Sequence, residues 1–353
     1  MKKLIIICIL LLIPINIKAI ETSATSAILV DTDSGRILYS KDIHNKRSIA
    51  SISKIMTAII AIESDKLNDV IEINDSIDKA YGSGIYIKKG EHIKLEDLVY
   101  GLMLRSGNDA ALAISDYVGG NTEEFVNQMN EKAKELGMKN TLFRNPSGLD
   151  EEDGGNISTT YDMSLLISYA IKNDEFKKIT GTKYHKVETD KNIYTWTNKN
   201  KLLFSYKNTT GGKTGFTVKA RRTLVTTASK DNLNLAVVTL NDGNDFKDHK
   251  DLFEYGFNNY TNYQLLKKGK INIPDTQNKE YYIENDYTYP LLESEENSIL
   301  IKYKLEKNPK ETAGNIEIYL GDKLLHKEPL YIKQKEIIKK KSFLEKIKEL
   351  FIK

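Results

Sequence analysis

The sequence of 353 residues has little cysteine and almost no excess of charge of either sign. Its one cysteine, Cys8, lies in a segment that we expect to be removed, so the mature chain has no thiol for a disulfide, a metal site or a nucleophile. A formal net charge of only +3 gives no broad basic face, which excludes nucleic acid as an expected partner. Its 40% of hydrophobic residues can bury a core over roughly two domains.

No hydrophobic run after the N-terminus is long enough to cross a membrane, and the N-terminal run itself is short. Lys2 and Lys3 precede an apolar stretch over residues 4–13, and Ala19 offers a small residue for cleavage. This arrangement is typical of a secretory signal peptide over 1–19, and an uncleaved N-terminal anchor is the alternative. We therefore expect a protein that is secreted across the cytoplasmic membrane and works on the extracytoplasmic side.

The C-terminal residues 333–353 are strongly basic, with eight lysines and three glutamates. Apolar residues recur there at spacings of three and four, which places them on one stripe of a helix. A basic amphipathic helix of this kind can lie in a lipid interface, so we expect peripheral attachment to a membrane surface. A terminal helix that packs on its own domain or on a partner is the alternative. The stripe consists of Phe343, Leu344, Ile347, Leu350 and Phe351.

The pattern between these two ends changes near residue 263. Residues 20–262 mix strand-like runs with helical patterns, which predicts a mixed α/β (α+β) domain. Residues 263–332 show short alternating runs separated by turns, which predicts a small all-β domain. The predicted elements of the first domain are strands over 27–30, 36–39, 224–227 and 235–240, and helices over 51–62, 110–118, 121–136 and 250–260.

The first of three short motifs that carry chemistry is Ser-Ile-Ser-Lys over residues 51–54. On a helix, side chains at i and i+3 stand on one face about 5–6 Å apart, so the Ser51 hydroxyl can meet the Lys54 amine. An amine with a lowered pKa can take the proton of a serine hydroxyl and turn it into a nucleophile. Alone, the pattern also fits a solvated serine and lysine.

The second motif is Ser-Gly-Asn over residues 106–108, just before a predicted helix. Alone it also fits a turn with a helix N-cap. In a site with the first motif, Ser106 would relay a proton between Lys54 and the leaving group. Asn108 would hold a substrate amide and the Lys54 side chain.

The third motif is Lys-Thr-Gly over residues 213–215. Together with the preceding glycine it looks like the end of a phosphate-binding loop. However, Lys207 stands where that loop needs its first glycine, and a strand-like run follows where a helix is required. Gly215 on an edge strand would let a substrate backbone come close, and Lys213 with Thr214 can meet a terminal carboxylate. The three motifs in this order are a far stronger signal than any one of them.

With these motifs the sequence resembles the low-molecular-weight penicillin-binding proteins that are serine-type D-alanyl-D-alanine carboxypeptidases (peptidase family S11). Ser-Gly-Asn is the form of the middle motif that is usual in the carboxypeptidase branch. The likeness is close over residues 25–262 and looser beyond them. It includes the segments 88–91, 98–102, 135–138, 145–150 and 255–257.

The resemblance implies a β-lactamase/transpeptidase-like serine peptidase domain over 20–262, with an antiparallel sheet and a helical subdomain. A small β-rich domain over 263–332 and a basic amphipathic membrane-anchoring helix over 333–353 would follow. Ser51 would attack the carbonyl between the two terminal D-alanines of a peptidoglycan stem peptide, with Lys54 as the base. The backbone N–H groups of Ser51 and Phe216 would form the oxyanion hole. β-Lactam antibiotics would acylate the same serine.

The resemblance implies neither a metal nor any other cofactor. The histidines are scattered without an H-E-x-x-H pair, which also argues against a zinc site and a histidine-based triad. The implied catalytic residues are Ser51, Lys54, Ser106 and Asn108, and the implied substrate-binding residues are Lys213, Thr214, Gly215, Phe216 and Thr217.

Some alternatives stay open at this stage. The substrate carboxylate often meets an arginine in this superfamily, and alternation along the strand lets only one of Arg221 and Arg222 face the cleft. Thr214 and Thr217 are the better-supported candidates for binding that carboxylate. A β-lactamase would need an extra glutamate, but no E-x-x-L-N motif lies between Asn108 and Lys213. A DD-endopeptidase and a wall protein that binds β-lactams without turnover remain rivals.

Overall fold

A computed structural model describes residues 20–151, 154–274, 280–306 and 312–332. The chain divides into two compact units, the first ending at Asn259 and the second beginning at Tyr260. The sequence pattern changes close to this point, near residue 263. The predicted signal peptide (1–19) and the predicted amphipathic helix (333–353) lie outside the described residues.

The first unit is built on a five-stranded antiparallel sheet with the strand order β2-β1-β11-β10-β9. The predicted hairpin at its start is confirmed, because β1 and β2 pair across the turn that contains Gly35. Three two-stranded pairs, β3-β6, β4-β5 and β7-β8, lie outside this sheet. The strands are β1 (Ser26–Asp31), β2 (Ile37–Lys41), β3 (Arg47–Ser48), β4 (Val70–Glu72), β5 (His92–Lys94), β6 (Ile157–Ser158), β7 (Tyr184–Glu188), β8 (Ile193–Thr197), β9 (Thr209–Thr217), β10 (Arg221–Lys230) and β11 (Leu233–Leu240).

Helices and the segments that connect them make up the rest of the first unit's described residues. They include the predicted helix after Asn121, whose side-chain oxygen accepts a hydrogen bond from the N–H of Glu124 at 2.8 Å and caps it. A 3₁₀ turn (Ala50–Ser53) precedes the first helix, another covers Asp75–Lys79, and a π-helical turn covers Gly101–Arg105. The helices are α1 (Lys54–Glu63), α2 (Leu95–Tyr100), α3 (Asn108–Gly119), α4 (Thr122–Glu135), α5 (Thr160–Ala170), α6 (Asp174–Gly181), α7 (Leu202–Ser205) and α8 (Asp245–Asn259).

The core of the first unit joins the sheet to the helices around the buried helix α1. Eight of the ten residues of α1 are buried. Strands β10 and β11 run side by side, as predicted, with Leu224 opposite Thr239. Their long buried runs follow from cover on both faces of the sheet, since a half-exposed strand would alternate between apolar and polar residues. This packing makes α1 and the sheet a rigid support for the residues at their ends.

Helix α8 begins at Asp245, earlier than the predicted start at residue 250. Its first turns bury polar residues, so an apolar periodicity could not reveal them. His249 is fully buried, with Nδ1 2.6 Å from the hydroxyl of Thr226 and Nε2 2.9 Å from that of Thr239. Burial lowers the pKa of His249 to about 3, so the ring is neutral. It fastens α8 to β10 and β11.

The described residues of the second unit are all-β apart from a 3₁₀ turn over Glu293–Ser298, as the sequence predicted for residues 263–332. Five strands form an antiparallel sheet in the order β13-β14-β18-β17-β16, and β12 pairs with β15. Ile316, Ile318 and Leu330 lie in its small core. The strands are β12 (Tyr260–Leu266), β13 (Gly269–Ile271), β14 (Tyr281–Ile283), β15 (Tyr287–Leu292), β16 (Ile299–Leu305), β17 (Thr312–Leu320) and β18 (Lys323–Ile332).

Candidate active site

The three motifs lie at the junction of α1, α3 and the edge strand β9. Ser51 lies in the 3₁₀ turn that leads into α1, and Lys54 is the first residue of α1. The prediction that an α-helix begins at residue 51 is therefore wrong. The contact that was expected from it still forms, because residues i and i+3 eclipse each other in a 3₁₀ turn. The Lys54 amine donates a hydrogen bond to Ser51 Oγ at 3.1 Å.

Lys54 is fully buried and its amine has further partners. It donates to the side-chain oxygen of Asn108 at 2.7 Å and to the backbone carbonyl of Ser147. Burial and, to a smaller extent, the charge of Lys199 lower the pKa of Lys54 to about 7, although the charge of Asp109 opposes the decrease. At neutral pH a substantial fraction of this amine is unprotonated and can accept a proton from the neighbouring hydroxyl.

Ser106 ends the π-helical turn before α3 in the left-handed region, with a φ of 64°. Its Oγ accepts a hydrogen bond from the amine of Lys213 at 3.0 Å, and that amine also donates to the carbonyl of Thr214 at 2.7 Å. Lys213 is fully buried, and burial together with the charge of Lys54 lowers its pKa well below the ordinary value. Ser51 and Ser106 thus each receive a hydrogen bond from a buried amine.

Asn108, the first residue of α3, connects Lys54 to a neighbouring loop. Its side-chain oxygen accepts from Lys54, as the sequence predicted, and its side-chain nitrogen donates to the carbonyl of Tyr81 at 2.6 Å. Its backbone N–H donates to the carbonyl of Ser83 at 2.8 Å. The Asn108 amide is therefore held at both ends.

Strand β9 passes close to the nucleophile because residue 215 is a glycine. A Cβ at Gly215 would lie 3.0 Å from the backbone nitrogen of Ser51 and would overlap the Thr223 hydroxyl. β9 is the last strand of its sheet in the described part of the chain, where one of its backbone edges has no neighbouring strand. An extended peptide can add to such an edge beside Ser51.

A second glycine, Gly148, also lies against the backbone at the nucleophile. Its φ is +78°, and a Cβ there would overlap the carbonyl oxygen of Ala50. Ser147, just before it, directs its backbone carbonyl at Lys54. In the sequence, the segment over 145–150 shows only a family likeness and no motif that carries chemistry. A backbone carbonyl has no side-chain signature, so its contact with the amine could not be predicted.

The motifs border a cleft of about 350 Å³. Of the predicted substrate-binding residues, Thr214, Gly215 and Phe216 line it. Lys213 is engaged with Ser106, and the Thr217 hydroxyl accepts a hydrogen bond from the N–H of Ala220 in the turn after β9. The lining residues are Ser51, Ser83, Ser106, Lys199, Lys201, Thr214, Gly215, Phe216, Arg222, Asp245 and Phe246.

Only one of the two candidate arginines reaches this cleft, as alternation along β10 requires. Arg222 lines it and donates from Nε to Asp245 at 3.1 Å. Lys199 lines it as well and donates to Ser83 Oγ at 3.2 Å. Sequence reasoning missed Lys199, since an isolated lysine before a short helix has no distinctive pattern. In the part of the chain that the structure describes, no group of three or more His, Cys, Asp or Glu side chains is arranged to hold a metal ion.

The chain is similar to proteins of known activity. A profile of the D-alanyl-D-alanine carboxypeptidase family matches residues 14–244. D-alanyl-D-alanine carboxypeptidase DacF of Bacillus subtilis is 32% identical over 76% of this chain and 71% of its own length. DacD of Escherichia coli, a D-alanyl-D-alanine carboxypeptidase, is 30% identical over 90% of this chain and 88% of its own. The crystal structure of penicillin-binding protein 5 from Haemophilus influenzae aligns with a TM-score of 0.76 and 25% identity, covering 89% of this chain and 97% of that one.

Proposed function

This chain belongs to the D-alanyl-D-alanine carboxypeptidase family of serine peptidases, and we propose that its residues carry out the family's reaction as follows. The enzyme removes the terminal D-alanine from a peptidoglycan stem peptide through an acyl-enzyme on Ser51. One observation carries the assignment: the Lys54 amine lies 3.1 Å from Ser51 Oγ and has a pKa of about 7. A base with a pKa near the working pH is the most effective proton acceptor.

In the acylation step the neutral Lys54 amine takes the proton of Ser51, and Oγ attacks the carbonyl carbon between the last two residues of the substrate. The backbone N–H groups of Ser51 and Phe216 receive the developing oxyanion, and the close approach of β9 at Gly215 supports this pairing. Ser106, held by Lys213, passes a proton to the leaving nitrogen and receives in return the proton that Lys54 took from Ser51, so the Lys54 amine is neutral again. The C–N bond breaks and free D-alanine leaves.

In the deacylation step a water molecule attacks the Ser51 ester, and Lys54 again accepts the proton. The C–O bond to Ser51 breaks, the hydroxyl regains a proton and the shortened peptide leaves. A β-lactam would acylate Ser51 in the same way, because its strained amide takes the position of the scissile bond. Penicillins are therefore expected as covalent ligands.

The terminal carboxylate of the substrate would lie at the end of the cleft that Thr214, Lys199 and Arg222 line. A hydroxyl and two cations suit a carboxylate. The Asp245 carboxylate accepts a hydrogen bond from Arg222 Nε at 3.1 Å and offsets the charge of that arginine. The hydrogen bond of Lys199 to Ser83 Oγ, by contrast, joins it to a neutral hydroxyl. We assign the main ionic contact with the carboxylate to Lys199.

Lys199→Met is expected to raise KM for a D-Ala-D-Ala peptide about 10- to 100-fold with little change in kcat, because one hydrogen bond to a charged group is lost.

Burial and the charge of Arg105 lower the pKa of Lys199, so its charge is lost at a lower pH than that of a free lysine. KM of the wild type should therefore rise with alkaline pH, and Lys199→Arg should suppress that rise because arginine stays charged. Lys247→Met, at an exposed lysine of α8, is the control. Steady-state kinetics from pH 7 upward test this, and an unchanged KM in Lys199→Met would contradict the assignment.

Substrates of defined chemistry test the reaction itself. The protein should release free D-alanine from a pentapeptide that ends in D-Ala-D-Ala and none from the same peptide ending in L-Ala. Preferential cleavage of a cross-linked dimer would instead show a DD-endopeptidase, and rapid hydrolysis of penicillin a β-lactamase. A stable penicillin adduct without peptide cleavage would show a wall protein that binds without turnover. Each of these three results would contradict the proposal.

We place the reaction at the cell wall, outside the cytoplasmic membrane, with residues 333–353 attaching the protein peripherally to the lipid surface. None of the helices in the described residues is long and apolar enough to span a membrane. The composition of 333–353 supports the attachment through its eight lysines and its apolar stripe. Purified protein is expected to co-sediment with anionic vesicles, and deletion of 334–353 should abolish this while D-alanine release persists. Equal sedimentation of both forms would contradict the attachment.

A further inference from the structure

The carboxylate of Asp109 has no part in the steps above, yet it is buried one residue beyond Asn108, with 7% of its surface exposed. It accepts hydrogen bonds from the backbone N–H of Ile85 at 3.0 Å and of Tyr86 at 2.6 Å. A third bond comes from the N–H of Ala110 at 2.9 Å. Asp109 therefore binds the backbone of a segment far away in the sequence, residues 81–86, which we call the cleft-wall loop.

Asn108 binds the same loop through hydrogen-bond donors, whereas Asp109 binds it as an acceptor. Its backbone and side-chain N–H groups donate to the carbonyls of Ser83 and Tyr81, while Asp109 accepts from the loop's N–H groups. Because the nitrogen end of the Asn108 amide is engaged by Tyr81, its oxygen end is the one that faces Lys54. The loop thereby orients the amide that contacts the base.

The loop is strained and fits closely around the carboxylate. Tyr86 has a φ of 64°, in the left-handed region that a bulky residue adopts only when its surroundings impose it. A Cβ at Gly84 would lie 3.1 Å from Asp109 Oδ2. Ser83, in the same loop, lines the cleft and accepts a hydrogen bond from Lys199. A change at Asp109 would therefore reach both the base and the wall of the cleft.

Asp109 also supplies charge to a site that contains three lysines. The charge of Lys199 lowers the pKa of Lys54, and the charge of Asp109, from α3, raises it. Lys213, from β9, is affected by the charges of both Lys54 and Lys199. Of the charged groups that shift the pKa of Lys54, Asp109 alone is negative. The carboxylate of Asp245 also lines the cleft, but it is paired with Arg222.

We propose that Asp109 is a positioning residue. It fixes the cleft-wall loop, and through that loop it orients the Asn108 amide and Ser83. Its charge also offsets the charge of the cleft lysines. The role rests on the proposed function of Ser51 and Lys54. It differs from a purely structural role in one measurable way. When the charge of Asp109 is removed, the ammonium form of Lys54 loses a stabilising partner, so the base becomes active at a lower pH.

The test is the rate of acylation of the full chain by a fluorescent penicillin, measured from pH 5 to pH 9. Asp109→Asn keeps the size of the side chain but removes its charge and presents an amide nitrogen to the loop. Its plateau rate of acylation is expected to fall at least about tenfold, because one or more buried hydrogen bonds are lost. The pH of half-maximal rate is expected to move below that of the wild type.

Two variants separate the charge from the fit. Asp116→Asn removes a carboxylate from the same helix, and both its rate and its pH profile should match the wild type. The added methyl group of Gly84→Ala would make a tight contact with the Asp109 carboxylate without removing its charge. The acylation rate of this variant should therefore fall, while its pH of half-maximal rate stays that of the wild type. Thermal unfolding of each variant confirms that it is folded at the temperature of the assay.

A wild-type rate in Asp109→Asn, or a slower rate with an unmoved pH profile, would overturn the positioning role. If Asp109→Asn does not fold, Gly84→Ala decides, and an unchanged rate in that variant would overturn it as well. Absence of acylation in the wild type and Asp116→Asn would instead overturn the proposed function, so the two failures are distinguishable.

Discussion

Ser51→Ala is expected to abolish the release of D-alanine from a peptide that ends in D-Ala-D-Ala, with a fall in kcat/KM of at least about 10⁴-fold. Alanine has no oxygen to form the ester, so neither step of the reaction can proceed through residue 51. The Lys54 amine and the cleft remain. The measurement is free D-alanine over time, together with labelling by a fluorescent penicillin, which should also disappear.

The matched control is the other serine of the same motif. Ser53 is buried, and its hydroxyl donates to the carbonyl of Ala50 at 2.8 Å, so it is engaged within its own turn. Ser53→Ala should keep the activity and lose only about 1 kcal/mol of unfolding free energy, the contribution of one hydrogen bond. If Ser51→Ala released D-alanine at the rate of Ser53→Ala, Ser51 would not be the nucleophile.

Lys54→Met is expected to slow acylation by about 10²- to 10⁴-fold, the usual contribution of a general base. Methionine fills a similar volume but cannot accept the Ser51 proton. Stability should change in the opposite direction, because burial disfavours the charged amine and methionine carries no such cost. We expect the Tm of Lys54→Met to equal or exceed that of the wild type.

The pairing of a lower rate with an unchanged or higher Tm distinguishes a lost base from a damaged fold. Penicillin labelling over time gives the rate, and a thermal melt gives the Tm. Lys89→Met, at an exposed lysine that pairs with Asp75, should change neither. Acylation of Lys54→Met at the wild-type rate would contradict the role of Lys54 as the base.

Spacing in the sequence predicts the nucleophile and its base, because local geometry alone creates their contact. Residues three apart meet in either an α-helix or a 3₁₀ turn, so the contact between Ser51 and Lys54 survives the error in where the α-helix begins. The hairpin of β1 and β2 and the pairing of β10 with β11 are predictable for the same reason, as each depends on a short connection.

Apart from the contact of Asn108 with Lys54, the contacts of the site that are distant in the sequence could not be predicted. The carbonyl of Ser147 and the cleft-wall loop reach the site through backbone groups, which have no residue type to mark them. Lys199 is one lysine among many. The first turns of α8 lack an apolar pattern because they bury His249 and two aspartates. In each case tertiary packing, rather than local pattern, places the group.

The most direct measurement is mass spectrometry of the protein after a brief exposure to penicillin at a series of pH values. We predict a single adduct of the mass of the intact antibiotic, located by proteolysis on Ser51. Its rate of formation should rise with pH and reach half its maximum near the pKa of Lys54, about 7. An adduct on another residue, or a rate on Ser51 that does not rise through this range, would contradict a serine activated by a neutral lysine.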